Sequence, residues 1–176
     1  MKKSYRYVTA VFIIFIILGT GFILIQKQPK KLFIKKSVSD LMRNKKEESV
    51  DFKASFAIFT NGTFRVFTAS MYHNLSEDVF IEAENPNIVH VKKSGITWDD
   101  FFKTLPFKLT RECLTTGTGQ TFCDGQNDTL KFYLNGEKTD NLLDSEIHKG
   151  DQVLISYGNE KTDEIDIQLK KLGQIK

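Results

Sequence analysis

The sequence predicts an α+β fold in which a mainly antiparallel sheet has one helix across it and a second helix at the carboxyl end. Asn-Gly occurs twice between apolar runs, and this dipeptide is typical of the two-residue turn of a β-hairpin. One helical pattern lies between the two hairpins, and another follows the last apolar run. The predicted order is therefore hairpin, two strands, helix, strand, hairpin, strand and helix.

Apolar runs supply the strands. The first hairpin joins 54–60 to 64–68 through Asn61-Gly62, and the second begins with 130–134 and turns at Asn135-Gly136. Side chains alternate along this hairpin as in a half-buried sheet, and the alternation predicts that five of them point inwards: Phe56, Ile58, Phe64, Val66 and Thr68. Three more apolar runs predict single strands, at 79–83, 88–91 and 152–157.

Two helices complete the predicted fold. Thr97 opens the first because its hydroxyl can accept from the free amides of the first turn, and Pro106 ends it. Between them, large side chains recur at helical spacing and are predicted to pack on the sheet: Trp98, Phe101, Phe102 and Leu105. Thr162 opens the second helix, which has acidic residues in its first turn and lysines in its last. We expect this helix to dock at the sheet's edge or on a partner, and among α+β folds the β-grasp fits the whole order best.

An uncharged apolar segment at 8–25 predicts a single transmembrane helix. Its eighteen residues would span roughly 27 Å as a helix, close to the thickness of the hydrocarbon core. Residues 1–7 are then a short basic cytoplasmic tail, 26–50 a basic stalk, and 51–176 an extracytoplasmic β-grasp-like domain at the cell membrane. The alternative is a cleavable signal peptide, since two glycines lie near the end of the apolar segment.

Charge is divided unevenly along the chain. The 176 residues include 25 Lys and Arg against 22 Asp and Glu, a net charge of +3. Residues 1–50 contain 11 basic and 3 acidic side chains, whereas residues 51–176 contain 14 basic and 19 acidic ones. Residues 51–176, called the body below, are therefore acidic. They lack the clustered basic side chains that neutralise phosphates, which argues against nucleic acid as a partner.

The two cysteines of the sequence, Cys113 and Cys123, are predicted to form a structural disulfide. A Gly-rich turn between extended segments at 108–113 and 121–123 would bring their sulfurs together across a hairpin. Disulfides persist outside the cytoplasm, so this pairing and the outward orientation support each other. The alternative is a catalytic pair for thiol–disulfide exchange, although such enzymes generally use Cys-x-x-Cys at the start of a helix.

Other residues that could bind a ligand or be modified are scattered along the sequence. His73 and His90 could form a metal site with Glu82 if the fold brought them together, although isolated histidines are usually ordinary surface or core residues. The sequence contains no dinucleotide fingerprint, phosphate loop or nucleophile elbow, and it predicts no cofactor. Three Asn-x-Ser/Thr sequons are candidate glycosylation sites and suit an external location: Asn61, Asn74 and Asn127.

Four blocks of the body carry a family resemblance: SGITWDDFFKTL at 94–105, RECLTTGTGQTFC at 111–123, TLKFYLNGEKTDN at 129–141 and GDQVLISYGNE at 150–160. Through them the chain resembles a family of membrane-anchored extracytoplasmic proteins of archaea, some of whose members are labelled protein-disulfide isomerase. The sequence FYLNGE, followed by a Gly-Asp turn, is also similar to β-grasp domains related to the carboxyl-terminal part of transcobalamin. Relatives have two His-x-His motifs of which His90 alone remains here, and this implies that any metal site in the family is lost in this chain.

The sequence therefore predicts a membrane-anchored binding or interaction module outside the cytoplasm, stabilised by a disulfide and without an evident catalytic site. Its partner would be a protein or a small ligand, in addition to the membrane that holds the amino-terminal helix. Two alternatives stay open: a thiol–disulfide oxidoreductase that uses Cys113 and Cys123, and a degenerate metal-binding domain.

Overall fold

The computed structural model describes residues 48–175. The predicted cytoplasmic tail, the transmembrane helix and nearly all of the basic stalk lie outside these residues. Within the described part of the chain, no helix has the length and apolar character needed to cross a membrane. The α+β class is confirmed, since mainly antiparallel strands are accompanied by two helices, one of them at the carboxyl end.

Ten strands form two sheets in this part of the chain. In chain order they are β1 (Ser49–Thr60), β2 (Thr63–Phe64), β3 (Val79–Phe80), β4 (Ile88–Lys93), β5 (Lys108–Leu109), β6 (Cys113–Thr115), β7 (Thr121–Cys123), β8 (Thr129–Leu134), β9 (Glu137–Lys138) and β10 (Gln152–Gly158). The main sheet has the order β3-β4-β1-β10-β8-β9, with β2 paired to the end of β1. The strands β5, β6 and β7 form a second sheet.

A parallel pair, β1 and β10, lies at the centre of the main sheet. Its register places Ala57 opposite Leu154 and Ile58 opposite Ile155. Successive side chains point to opposite faces, so Ala57 and Phe59 contribute to one core cluster while Ile58 contributes to the other. Both faces of the central pair are therefore apolar and both are covered.

Both predicted hairpins form, with left-handed backbone at each Asn-Gly. The φ angles are 49° at Asn61 and 72° at Gly62, and 54° at Asn135 and 87° at Gly136. Positive φ at both central residues is the requirement of a type I′ turn, which asparagine and glycine meet best. The strand predicted at 79–83 is shorter than expected and is limited to β3.

The first hairpin is also shorter than predicted because β2 and β4 share one edge of β1. Between these two strands, the Phe56 N–H donates to the Asn87 carbonyl oxygen at 3.0 Å, and the Asn87 side-chain amide donates to the Phe56 carbonyl oxygen at 3.0 Å. The edge is thus occupied, and the chain leaves the sheet after Arg65. Val66, predicted to face inwards, is 62% exposed, whereas its neighbour Phe67 is buried.

Helix α1 (Trp98–Thr104) begins and ends where the sequence predicts. The Thr97 hydroxyl accepts from the Asp100 N–H at 3.1 Å, and the Asp100 carboxylate accepts from the Thr97 N–H at 3.0 Å, which is a capping box. The helix buries three aromatic side chains in the larger core cluster: Trp98, Phe101 and Phe102.

Helix α2 (Thr162–Leu172) differs from the prediction in two respects. Thr162 is its first residue, and the N-cap is Lys161, whose N–H donates to the Glu164 carboxylate at 2.9 Å. The helix also packs on the second apolar face of the central pair rather than at the sheet's edge, with Ile165 and Leu172 buried in that cluster. Parallel strands are normally buried on both faces of the sheet. Helix α1 covers one face of the central pair, and α2 covers the other.

The second sheet contains the disulfide hairpin, residues 113–123. Its register places Cys113 directly opposite Cys123, and their sulfurs are bonded, so the predicted disulfide is confirmed. The first strand begins at Cys113 rather than ending there. Thr110 turns the chain immediately before it, because its N–H donates to the Cys113 carbonyl oxygen at 2.8 Å and its hydroxyl accepts from the Cys113 N–H at 3.0 Å.

Candidate functional site: a cleft beside the disulfide hairpin

A cleft of about 250 Å³ opens beside the disulfide hairpin. It lies between the end of β1, the segment 64–67 that leaves the sheet, and the turn of the hairpin. Most of its wall is apolar or aromatic, and the side chains concerned are Ile58, Phe64, Val66, Phe67, Tyr72, Phe107 and Leu114. Binding sites for small molecules are typically concave and apolar with a few polar groups, and this cleft has that character.

Phe67 forms the floor of the cleft and is 5% exposed. Its ring centre lies 5.2 Å from that of Phe56, 5.2 Å from that of Tyr72 and 5.9 Å from that of Phe107. These three partners come from β1, from the 3₁₀ helix Ser70–Tyr72 and from the segment after α1. Tilted and edge-to-face ring contacts of this kind are favourable, so the core holds the floor in place.

Gly117 allows the hairpin turn to contact the opposite part of the wall. A Cβ atom at this position would lie 2.7 Å from the Pro106 carbonyl oxygen, a separation that real Cβ atoms essentially never show. The Met71 methyl carbon and the Tyr72 hydroxyl oxygen lie 3.4 Å and 3.5 Å from the same point. Because glycine has no side chain, the backbone can approach this closely and complete the cleft.

Arg65 is the charged residue of the wall. Its Nε donates to the Thr60 hydroxyl at 2.6 Å, and its guanidinium carbon lies 5.3 Å from the centre of the Phe122 ring. Within residues 48–175, Arg65 forms no ion pair with a carboxylate. The guanidinium is therefore oriented by neutral partners while its charge is left uncompensated by the described protein.

Phe122 connects Arg65 to the disulfide hairpin. It lies in β7 next to Cys123, is 6% exposed, and its ring centre is 5.2 Å from that of Tyr157. The Tyr157 hydroxyl donates to the Cys123 carbonyl oxygen at 3.1 Å, which ties the hairpin to β10. The ring on which Arg65 rests is thus positioned by the bridged hairpin and by the main sheet together.

The cysteine pair itself is half-buried. Both Cys113 and Cys123 lie in strands rather than at the start of a helix, where the dipole lowers the pKa of a thiol. Arg111, the basic residue nearest to Cys113 in sequence, forms an ion pair with Asp144. The bridge therefore joins the two strands of the hairpin without the helix start or the free basic neighbour that lowers the pKa of a thiol.

The structure brings together two of the three candidate metal ligands. His90 Nε2 lies 3.3 Å from Glu82 Oε2, and the His90 ring stacks on Phe80 with the ring centres 5.2 Å apart. His73 Nε2 lies instead 2.8 Å from the Phe67 carbonyl oxygen. Burial lowers the pKa of His90, and the Glu82 charge opposes this effect without cancelling it. Over residues 48–175, no three or more His, Cys, Asp or Glu side chains form a group that could hold a metal ion.

A buried ion pair holds the first hairpin turn. Lys131 Nζ lies 3.1 Å from Glu160 Oε2, with the two side chains 11% and 6% exposed. Glu160 Oε1 accepts from the Gly62 N–H at 3.1 Å. Burial raises the pKa of Glu160, but hydrogen bonds from its own backbone, from Lys131 and from Gly62 outweigh this and lower it overall. The turn that leads into the segment 64–67 is therefore anchored to β8 and to the end of β10.

The three sequon asparagines, Asn61, Asn74 and Asn127, are all exposed. Asn61 and Asn74 lie in turns with φ of 49° and 53°. A glycan acceptor must be accessible, so the fold leaves all three positions compatible with modification.

Neither the cleft nor the role of Arg65 could be predicted from the sequence. The cleft residues are distant in sequence and form no motif, since Arg65, Phe107 and Gly117 come from three separate segments. The available signal is in the segment 64–72, where Phe67 places a large aromatic side chain between the alternating positions Val66 and Thr68 and so departs from the period of a strand. That pattern indicates packing outside a sheet, but it does not specify the partners.

Comparisons with protein-family models, with curated proteins and with solved structures find no match for this chain. The residues of the cleft and their surroundings are therefore the features that indicate a function.

Proposed function

We propose that the body of this protein is a β-grasp-like binding module without catalytic activity, and that the cleft is its ligand site. The strand order β4-β1-β10-β8 supports the fold assignment. Its two central strands, β1 and β10, are parallel, and α1 lies in the connection between β4 and β8. The same connectivity is expected of a β-grasp sheet. The additional second sheet then supplies the hairpin that forms one wall of the cleft.

The observation that carries the proposal is the apolar cleft at the surface. Of the four large apolar side chains that the described residues expose most, Val66 lines the cleft and Met71 lies beside its Gly117 wall. They are 62% and 50% exposed. Exposed apolar side chains next to a preformed concavity favour binding of another molecule. The cleft volume, about 250 Å³, is just below the roughly 300–1,000 Å³ of sites for drug-sized molecules, so it suits a small ligand.

Binding of a neutral aromatic probe tests this proposal. We expect 2-naphthamide to bind the full-length protein in isothermal titration calorimetry, because its rings can replace water against the aromatic wall. Thr118 is exposed at the rim of the cleft, so T118W should block entry without disturbing the core. Any binding to detergent or lipid is the same for both proteins and cancels in the comparison. Absence of binding, or equal binding to T118W, would contradict the proposal.

We also propose that the body lies outside the cytoplasm, at the cell membrane. The Cys113–Cys123 bridge supports this location because structural disulfides persist in oxidising compartments. The exposure of all three sequon asparagines is consistent with it. Protease treatment of intact cells should degrade the body, and a body that resists digestion until the cells are lysed would place it in the cytoplasm instead.

The bridge is half-buried, so an attacking thiol could reach it, and thiol–disulfide exchange is the competing function. The reduction potential of the Cys113–Cys123 pair distinguishes a structural bridge from a redox-active pair. A bridge that glutathione does not reduce supports a structural role. A pair that is easily reduced and releases one thiol of low pKa would favour an oxidoreductase.

A further inference from the structure

We propose that the cleft selects a small amphipathic acid, with its carboxylate paired to Arg65 and its apolar body against the aromatic wall. This inference rests on the proposed function and adds the chemical class of the ligand. It follows from three properties of the site: the unused donors of Arg65, the polarity of the wall, and the absence of acidic residues from the lining.

The first property is the state of the Arg65 guanidinium. Its Nε–H is used by Thr60, and one face of the group rests on the Phe122 ring. The Nη donors have no acceptor among the described residues. The planar fork of a guanidinium matches the two oxygens of a carboxylate, and here the fork is held in one orientation before a ligand arrives.

The second property is the polarity of the wall. Phe67, Phe107 and Leu114 offer apolar surface, while Tyr72 and Thr116 add hydroxyl groups at the same cleft. A ligand that fills the cleft must bury a compact apolar or aromatic body there. If the ligand also has a carboxylate, the charge must be paired, because an unpaired charge away from water is strongly unfavourable.

The third property is the sign of the local charge. None of the residues that line the cleft is Asp or Glu, so a cationic ligand would meet Arg65 without a compensating partner. The body as a whole is acidic, with 14 basic and 19 acidic side chains in residues 51–176. Exposed charges more than about 8 Å away are largely screened at physiological ionic strength, so the nearby guanidinium determines the preference.

A matched pair of probes tests the inference. 2-Naphthoate and 2-naphthamide have the same rings and nearly the same shape, and they differ in the charge of one group. We expect the full-length protein to bind naphthoate about 10- to 100-fold more tightly than naphthamide, the range given by hydrogen bonds to a charged group. High salt should weaken naphthoate binding and leave naphthamide binding unchanged.

The R65Q variant then assigns this preference to one residue. We expect R65Q to bind both probes with the affinity that the parent protein has for naphthamide. The R65K variant keeps the charge but not the planar fork, and it should retain part of the preference. Equal affinity of the parent for the two probes, or a preference that persists in R65Q, would overturn the inference.

Two results separate this inference from the proposed function. If the parent binds both probes equally and T118W binds neither, the cleft is a ligand site without the charge preference proposed here. If the parent binds neither probe, the ligand site itself is refuted. The salt dependence and the probe comparison use the parent protein alone, so a loss of folding in R65Q would not prevent the test.

Discussion

Replacement of both cysteines by serine, C113S/C123S, should destabilise the folded body by about 3 kcal/mol. The bridge joins two residues with a sequence separation of 10, and the chain-entropy description of a loop of this size gives about 3 kcal/mol. Without the bridge, the unfolded chain regains the freedom that the loop closure removed. For a body of this size the melting temperature should fall by about 10 °C.

Urea unfolding of the full-length protein, followed by circular dichroism, measures this loss. The free energy of unfolding of the oxidised parent should exceed that of the reduced parent and that of C113S/C123S by about 3 kcal/mol. The last two values should be similar. The sequence contains two cysteines, so C113S/C123S has no disulfide for a reductant to break and should be unchanged by it. A loss below about 1 kcal/mol would refute the reasoning, because the loop term alone exceeds that value.

Three further predictions concern side chains around the main sheet. K131M should cost about 1–3 kcal/mol in urea unfolding, since the largely buried Glu160 carboxylate loses its cation and keeps the Gly62 N–H, and K131M/E160Q should cost less. G158A should cost about 1–3 kcal/mol, because Gly158 has φ of 145° and an added Cβ would lie 2.5 Å from Glu160 Oε1. Burial lowers the pKa of His90, so its contribution to stability is present above pH 6.5 and is lost as the pH falls through the lower folded-state pKa. In a pH series of unfolding curves, H90F should remove this part of the pH dependence.

Each of these predictions has its own control. K131R keeps the charge and should stay closer to the parent than K131M, and equal losses for K131M and K131M/E160Q would contradict the ion-pair argument. Gly173 has an ordinary helical φ of −62°, and a Cβ there would make ordinary van der Waals contacts, 3.6 Å and 3.7 Å from the carbonyl oxygens of Lys170 and Leu169, so G173A should be neutral or slightly stabilising. A pH profile that H90F leaves unchanged would show that other groups determine the acid dependence.

Features that depend on neighbours in sequence were predictable. Both Asn-Gly turns form because asparagine and glycine tolerate the positive φ that the turn needs. The start of α1 follows from Thr97 and Asp100, which are three positions apart and cap each other. The bridge between Cys113 and Cys123 likewise follows from a short Gly-rich turn between them.

Features that depend on partners distant in sequence were predicted wrongly or missed. The alternation after Asn61-Gly62 suggested a longer strand, but Asn87 occupies the edge that the strand needed. The amphipathic pattern of α2 showed that one side is buried, but it could not show that the surface covering it is the second face of β1 and β10. The pairing of Lys131 with Glu160 was missed for the same reason, since 29 positions separate the two residues.

The sequence by itself determined the α+β class, the two hairpin turns, the cap of α1 and the disulfide. These features rest on backbone preferences and on contacts within about ten positions, which any reading of the chain can evaluate. Tertiary structure alone decided the position and lining of the cleft. The cleft exists because β4 displaces the segment after Arg65 from the sheet, and because Gly117 lets the bridged hairpin approach Pro106. No local sequence pattern encodes either feature. Each depends on which distant segments occupy the same sheet edge or the same space.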